Sequence, residues 1–489
     1  MRVNIIGFNR FMRNFVLNSV ITMTNQIEDT ICAVSTAPGV GGIAVIRVSG
    51  KNAIEIVDKC WNGATIEKMK SHTVHLGHIV DKENNVLDEV VLTLFRTPHS
   101  FTGEDVIELA CHGSLWIQQQ IVNLLISCGC RVATGGEFTR RAYVNGRMDL
   151  SQAEAVADLI ASSSRASHRI ALSQMRGAFS RELGILRDKL LEFVSLIELE
   201  LDFTEEDVEF ADRSRLLELA GYIKSTVDSL AGSFAVGNAI KNGVPTAIVG
   251  ETNAGKSTLL NYLLKDDRAL VSDIHGTTRD VIEDTITING TLFRFIDTAG
   301  IRETEDTIES MGIERTFKKL DEAEIVIWVI DANTEFDKIK ELSQKIEKHL
   351  SGKKLIIAIN KIDTLDSDKK TKITEFMSNL IQERGTICNI SAKNRVGVSE
   401  LENILVSSVA IAETADSNQV IVTNARHYDA LLHAGDAITR AIDGLNTGIS
   451  GDFVSQDIRE CMHYLGEITG EISTDEILGS IFSRFCIGK

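Results

Sequence analysis

An eight-residue loop, GETNAGKS at residues 250–257, constrains the possible folds of this chain more than any other feature. The loop matches G-x-x-x-x-G-K-[ST], it follows an apolar run typical of a buried strand, and a helical pattern begins where it ends. In such a loop the backbone N–H groups surround phosphate, the lysine reaches the β and γ oxygens, and the serine can ligate Mg²⁺. The loop therefore predicts a parallel α/β domain that binds a nucleoside triphosphate.

Three later motifs indicate which nucleotide this is. DTAG at 297–300, NKID at 360–363 and SAK at 391–393 each follow an apolar run typical of a parallel strand, and ligands bind at the carboxyl ends of such strands. The Asp363 carboxylate can accept hydrogen bonds from the N1–H and the 2-amino group of guanine, which adenine lacks. The motifs together predict a GTPase.

The segment GTTRD at 276–280 lies between the phosphate loop and DTAG, where a switch segment should supply a second Mg²⁺ ligand. Thr278 is the candidate for this ligand and Thr277 is the alternative, with Ser257 as the first ligand. The predicted GTP-binding residues are Asn253, Ala254, Gly255, Lys256, Ser257, Thr258, Ser272, Asp273, Ile274, His275, Gly276, Thr277, Thr278, Asp297, Thr298, Ala299, Gly300, Asn360, Lys361, Asp363, Ser391, Ala392 and Lys393.

Hydrolysis must use groups other than those of Ras-like proteins, in which a Gln follows the DxxG motif and orients water, because Ile301 stands there. Lys256 is one predicted catalytic residue. Asn253 offers a carbonyl oxygen where a monovalent cation could replace an arginine finger, or it simply favours a tight loop; the residues alone leave both interpretations open. Glu309 is a second candidate, although composition does not distinguish it from the neighbouring acids Glu303, Glu305 and Asp306.

Composition limits the class of protein around this site. The 489 residues predict two to four domains, and 43% hydrophobic with 25% charged residues and 3 Pro indicate an ordered, helix-rich chain. No apolar run approaches the roughly 18–20 residues of a membrane span, so a soluble protein with no membrane contact is expected. A net charge of -18 disfavours broad RNA coating; RNA would require a local basic patch or a second protein.

Cysteine and histidine spacing gives no strong metal signal. The eight Cys are scattered without a CxxC pair, which favours a reducing compartment over a zinc site or a disulfide framework. His72, His75 and His78 could suggest a metal site, but the alternation in SHTVHLGHIV predicts a strand that places His75 opposite the other two. We therefore favour the strand.

Periodicity along the chain predicts a multidomain fold of α+β and α/β parts. Strand-like runs from 30 to about 94 indicate an N-terminal α+β domain. An apolar seam at helical spacing indicates helices from 150 to about 203; its residues are Leu183, Leu186, Leu190, Phe193 and Ile197. The segment from Leu216 to Leu230 is the predicted partner helix. The predicted domains are an N-terminal domain (23–142), a helical domain in two parts (143–242 and 412–489) and an inserted G domain (243–411).

Residues 1–22 carry Arg2, Arg10 and Arg13 and no acidic residue. We expect this segment to be an unstructured or misassigned start of a cytoplasmic protein. The alternative is a mitochondrial transit peptide, which has this composition.

Four stretches around these motifs match a known family: APGVGGIAVIRVSG near the start, SFTGEDVIELACHG at 100–113, GGEFTRRAYVNGRMDLSQAEAVADLI at 135–160, and the closing FCIGK. With them the chain from 23 to 489 resembles the MnmE (also TrmE) tRNA-modification GTPases. The resemblance implies a K⁺-activated homodimer whose N-terminal domain binds a 5-formyl- or 5,10-methylene-tetrahydrofolate. It also implies a heterotetramer with the flavoprotein MnmG, which places a carboxymethylaminomethyl group on C5 of the wobble uridine of certain tRNAs.

The resemblance also implies site residues. It makes Glu309 the water-activating residue and Ser257 and Thr278 the Mg²⁺ ligands. The implied K⁺ ligands are Asn253, Ser272, Ile274 and Thr277; the implied folate contacts are Arg47, Glu108, Arg147 and the terminal Lys489; and Cys486 is the modification-site candidate. This chain departs from the family at Val40 (often Arg), Gly135 (Pro) and Arg147 (Lys), and since an Arg fork differs from a Lys point charge, the folate contacts are the part affected.

Two other functions compete with this interpretation. A ribosome-assembly GTPase usually carries a basic RNA-binding module, whereas the C-terminal segment here is acidic to neutral and helical. A dimerising GTP switch without further chemistry would not need the N-terminal motifs or Cys486.

Overall fold

The computed structural model describes residues 29–202, 213–267, 284–296, 320–409, 420–483 and 485–488. These residues form two compact units, one from the described residues up to 157 and from 466 onward, the other from 158–465. In these ranges no helix is both long enough and apolar enough to cross a membrane.

The strands, in chain order, are β1 (Ile31–Val34), β2 (Gly41–Ser49), β3 (Trp61–Asn62), β4 (Thr73–Val80), β5 (Val86–Phe95), β6 (Val106–Gly113), β7 (Arg131–Val132), β8 (Val244–Val249), β9 (Asp284–Ile288), β10 (Thr291–Ile296), β11 (Ile325–Asp331), β12 (Lys354–Asn360) and β13 (Gly385–Asn389). The described α-helices are α1 (Ala53–Asp58), α2 (Leu115–Cys128), α3 (Glu137–Val144), α4 (Leu150–Ala161), α5 (Arg165–Met175), α6 (Ala178–Asp202), α7 (Arg213–Gly232), α8 (Phe234–Asn242), α9 (Lys256–Asp267), α10 (Phe336–Glu347), α11 (Ser367–Ile381), α12 (Val398–Ser408), α13 (Ala425–Thr447), α14 (Gly451–Thr469) and α15 (Asp475–Ser483).

The first unit contains a sheet in the order β3-β4-β5-β6-β2-β1-β7, in which only β1 and β7 pair in parallel. Alternation decides which face is buried: along β5, Val90, Leu92 and Leu94 enter the core with α1 and α2. The strand predicted around His75 and His78 is confirmed, with His75 opposite Leu92 and His78 opposite Glu89. The prediction missed β6 and α2, because VIELACHG contains weak strand formers such as Ala and Glu.

The second unit combines helices with an α/β domain. The predicted seam on α6 is buried, and α7 packs against α6 and also against α13, which lies beyond the α/β domain in the sequence. The helical part is therefore discontinuous, as predicted.

The inserted domain is a six-stranded sheet among the described residues, ordered β13-β12-β11-β8-β10-β9. All neighbours are parallel except β9 and β10, which form a hairpin at Asn289 (φ 48°) and Gly290 (φ 83°). Helices α9 and α12 cover one face and α10 and α11 cover the other, so the strands are buried on both sides. Continuous apolar runs such as IVIWVID follow from this burial.

Candidate functional sites

The phosphate loop connects β8 to α9 through residues with positive φ. Gly250 has φ 149° and Gly255 has φ 98°, and a Cβ at either position would lie 2.1 Å from a neighbour, the Val329 carbonyl oxygen or Asn360 Nδ2. Asn253 has φ 65°, which Asn tolerates better than most residues, and its side chain is exposed. The loop thus requires glycine at 250 and 255 for space as well as for conformation.

Lys256 lies at the start of α9, with Ser257 and Thr258 after it. Its Nζ donates to the carbonyl oxygens of Gly250 (2.8 Å) and Glu251 (2.7 Å), across the opening of the loop. Burial lowers the pKa of Lys256 because it disfavours the charged ammonium. An anionic phosphate at the same place would favour the charged form, so the position suits phosphate binding.

Asn360 joins three of the motifs. This residue is 2% exposed; its Nδ2 donates to the Ala254 carbonyl oxygen (2.8 Å) and its Oδ1 accepts from the Ala392 N–H (2.9 Å). The phosphate loop, the end of β12 and the SAK segment after β13 are therefore fixed to one another at the carboxyl edge of the sheet.

The residues predicted to recognise the base lie at the same edge of the sheet. Lys361 has φ 65° and its Nζ donates to Asp331 Oδ2 (2.7 Å) at the end of β11. A hydrogen bond from the Ser391 side chain, assisted by the charge of Lys393, lowers the pKa of the exposed Asp363. The Asp363 carboxylate is therefore ionised at neutral pH and can accept from two guanine N–H groups. Asp331 was not predicted, although the end of IVIWVID beside NKID could have indicated it.

We expect Asn360→Ala to weaken GTP binding by at least about thirtyfold, since about 1.4 kcal/mol corresponds to a tenfold change. The change leaves two buried backbone groups without partners, each costing about 1–3 kcal/mol. Nucleotide affinity and thermal unfolding with and without GTP would measure the effect. Asn389→Ala, at the end of the neighbouring strand, is the matched control, since its described side-chain contact is one 3.5 Å bond to Thr374. Equal losses in both variants would contradict a specific role for Asn360.

Several predicted site residues lie outside the described residues, and their roles stay predictions. They are Ser272, Asp273, Ile274, His275, Gly276, Thr277, Thr278, Asp297, Thr298, Ala299, Gly300, Glu309 and Lys489.

In the first unit, Arg47 and Glu108 face each other across β2 and β6. Nε and Nη2 of Arg47 donate to Glu108 Oε1 at 2.9 and 2.8 Å, and both side chains are mostly buried. The rings of Phe101 and Phe138 lie 5.4 and 5.6 Å from the guanidinium carbon, which is cation–π distance. Arg147 is exposed in the turn after α3, and no hydrogen bond or ion pair within the described residues joins it to this pair.

The C-terminal tail packs on the same unit. Gly136 N–H donates to the Cys486 carbonyl oxygen (3.3 Å), Gly135 and Ile487 form an antiparallel bridge, and Ser35 Oγ donates to the Gly488 carbonyl oxygen (3.0 Å). The Cys486 side chain is exposed. A Cβ at Gly135 would lie 2.8 Å from the Phe485 carbonyl oxygen, so the glycine leaves room for the tail.

A network of charges holds α3, which begins beside the tail. The guanidinium of Arg141, 2% exposed, donates to Asp29, Glu104 and Glu137. Burial alone would raise the pKa of Glu137, but hydrogen bonds from Arg131 and the Thr134 N–H, together with the charges of Arg131 and Arg141, outweigh it and lower that pKa to about 2. Because α3 carries Phe138, the residues 135–138 contact both the tail and Arg47. No sequence pattern indicated this link.

The fold and the phosphate loop define the chain as a P-loop GTPase, a guanine-nucleotide-binding α/β domain inserted between helices. The MnmE helical domain family matches residues 150–486, and the family described as GTP-binding protein TrmE N-terminus matches residues 30–147. The chain belongs to the MnmE family of tRNA modification GTPases.

Curated relatives agree over nearly the full length. The tRNA modification GTPase MnmE of Bacteroides thetaiotaomicron is 57% identical over 466 residues, 94% of this chain and 100% of the relative. The proteins of the same name from Parabacteroides distasonis and Flavobacterium johnsoniae are 56% and 53% identical, covering 94% and 96% of this chain and 100% of each relative. Among solved structures, Aquifex aeolicus Era bound to GDP·AlF4⁻ matches 40% of this chain and 66% of that one, at 28% identity and TM-score 0.28. The family assignment rests on the sequence relatives, and it makes the chain a GTP hydrolase with a role in tRNA modification.

Proposed function

We propose that this chain is a K⁺-activated GTPase that acts as a homodimer with an MnmG-type flavoprotein. Together they add a carboxymethylaminomethyl group to C5 of the wobble uridine of certain tRNAs, with a tetrahydrofolate derivative as one-carbon donor. The observation that carries the proposal is the tail: it places the exposed Cys486 on the unit that contains Arg47 and Glu108, with residues 135–138 touching both.

The Arg47 and Glu108 pair suits a folate. Folate presents carboxylates to Arg and a pterin edge with N–H groups to Glu. Only Oε1 of Glu108 accepts from Arg47 within the described residues, so Oε2 and the remaining Arg47 N–H groups are available to a ligand. We assign Arg147 and Lys489 as the further folate contacts.

The phosphate loop suits both ions. Ser257, in the first turn of α9, would hold Mg²⁺ through its hydroxyl together with Thr278, and Asn253 would hold K⁺ with Ser272, Ile274 and Thr277. The Asn253 side chain makes no hydrogen bond among the described residues, so its carbonyl oxygen is available to a cation. When bound, K⁺ supplies positive charge near the transferred phosphate, as an arginine finger does. Lys256 binds the β and γ oxygens, and Glu309 would orient the attacking water.

Replacing K⁺ by Na⁺ should lower GTP turnover by at least about tenfold, because arginine fingers contribute about 10³–10⁵ in rate and the smaller ion fits oxygen ligands set for K⁺ poorly. Phosphate release measured in matched KCl and NaCl buffers tests this. Asn253→Ala should turn over slowly in both salts, whereas Thr252→Ala, an exposed neighbour in the loop, should keep the difference. Equal wild-type rates in the two salts would remove Asn253 from the mechanism.

The experiment that tests the proposed function is mass spectrometry of wobble nucleosides from cells without this gene. We expect the carboxymethylaminomethyl uridines to be lost in these cells and to be restored when the wild-type chain is expressed. Unchanged wobble nucleosides would refute the proposal and favour a ribosome-assembly or switch GTPase.

A further inference from the structure

Helix α5 and the start of α6 form an exposed basic face within an acidic chain. Residues 159–181 contain four Arg and one His and no Asp or Glu, although the whole chain has a net charge of -18. This segment is therefore locally basic within an acidic chain, and we call its exposed basic residues the α5 basic face: Arg165, His168, Arg169, Arg176 and Arg181.

Helical spacing puts these side chains on one side. Arg165, His168, Arg169 and Arg176 follow one another at intervals of 3, 1 and 7 residues and are all exposed. The opposite side is anchored, since Ile170 and Ala171 are buried and the buried Gln174 donates from Nε2 to the Ile421 carbonyl oxygen (2.8 Å). Arg181 extends the face onto α6, where its Nη1 donates to the Arg176 carbonyl oxygen (3.0 Å). The helix therefore presents a fixed row of cations about 16 Å long, at 1.5 Å per residue.

None of these five side chains takes part in an ion pair in the described part of the chain. Other exposed arginines of the same unit are neutralised: Arg215 pairs with Glu192, Arg459 with Glu198, and Arg440 with Asp457 and Glu460. Like charges that repel one another on one helix face destabilise the isolated helix, and an anionic partner would remove that repulsion.

We propose that the α5 basic face binds the phosphate backbone of the tRNA, an inference that rests on tRNA being the substrate of the proposed function. Guanidinium groups bind phosphate in bidentate fashion, and a row of them can follow successive phosphates of one strand. Because the rest of the chain is acidic and repels RNA, this local patch would also orient the tRNA on its approach. An acidic protein surface is the competing occupant.

The test is the salt dependence of tRNA binding by the full chain carrying Arg165→Ala and Arg169→Ala together. Each lost phosphate contact lowers the slope of log K against log salt by about 0.7–0.9, so the slope should fall by about 1.4–1.8. The affinity lost between about 50 and 200 mM KCl should then be about tenfold smaller than in the wild type. GTP hydrolysis should stay unchanged. The matched control, Arg215→Ala with Arg459→Ala, removes the same charge from paired arginines and should keep the wild-type slope.

Wild-type affinity and slope in the Arg165 and Arg169 variant would overturn the proposal, as would no tRNA binding by the wild type. An equal fall of slope in the control would overturn it too, because the effect would then be one of net charge. If the Arg165 and Arg169 variant binds tRNA normally but binds the flavoprotein more weakly, the α5 basic face binds an acidic protein surface instead, and the proposal is overturned. Nucleoside mass spectrometry reports on the proposed function separately, so each of these results can occur while tRNA modification itself is confirmed.

Discussion

Asp363→Asn should convert this chain from a GTPase into one that prefers xanthosine triphosphate. In the proposed role, the Asp363 carboxylate would accept from the N1–H and the 2-amino group of guanine, and an Asn amide cannot accept both hydrogen bonds. Xanthine carries a carbonyl in place of the 2-amino group, so the Asn amide can accept from N1–H and donate to that carbonyl. Sites built on such bonds reject the unmatched ligand by about 10⁴–10⁵, and we expect GTP affinity to fall by about 10³-fold or more.

Competition binding with GTP and xanthosine triphosphate measures both the loss of GTP affinity and the gain of xanthosine triphosphate affinity in the same variant. Asp366→Asn is the matched control, because Asp366 caps α11 by accepting from the Lys369 N–H (2.9 Å) and Asn caps a helix equally well. That control should keep the wild-type preference for GTP. A variant at Asp363 that loses GTP without gaining xanthosine triphosphate would show that the carboxylate supports the loop and does not read the base.

The α/β domain could be predicted from local pattern because its strands are buried on both faces. Double burial requires continuous apolar runs, and LIIAIN and IVIWVID are unmistakable for that reason. The glycine spacing of the phosphate loop is also local, since its positive φ values arise within eight residues. Such features are encoded by neighbours in the sequence.

Contacts between distant segments could not be predicted in this way. Ser35 and Gly488 are 453 residues apart, and although Gly488 lies in the closing FCIGK, neither segment indicates that the two residues meet. Phe138 lies against Arg47 because α3 is held by the charges around Arg141, and the periodicity of α3 does not reveal this. The resemblance to a family supplied Arg47, Glu108 and Cys486 as residues of interest, but the structure supplied the segment 135–138 that joins the tail to the pair.

The sequence revealed the motif that contains Asn360, but it did not reveal what the Asn360 side chain does in the structure. NKID was predicted as a base-recognition motif, yet the Asn360 side chain is turned inward and its two hydrogen bonds hold the phosphate loop and the SAK segment. The loop that carries Lys256 and the segment that carries Ser391 to Lys393 are thus connected through one buried amide, that of Asn360.

Cys486→Ser should reduce wobble uridine modification by at least about 10³-fold while GTP hydrolysis stays at the wild-type rate. Serine keeps the size of the side chain and the backbone contacts of the tail, but it replaces the sulfur, and thiolates are far better nucleophiles than neutral hydroxyls. The phosphate loop belongs to the other unit, so the change leaves GTP turnover unaffected. Wobble nucleosides from cells that carry only the variant, measured alongside phosphate release by the purified protein, test both halves.

Ile487→Ala is the control that separates the sulfur from the tail. Ile487 is 62% exposed, and the substitution retains the backbone bridge to Gly135, so modification should remain close to normal. If Ile487→Ala loses as much modification as Cys486→Ser, the geometry of the tail matters and the thiol has no chemical part. Normal modification by Cys486→Ser would also show that the thiol has no chemical part. Loss in the Cys486 variant alone would place the thiol among the reacting groups, since the contacts of Gly136 and Ser35 to the tail are present in both variants.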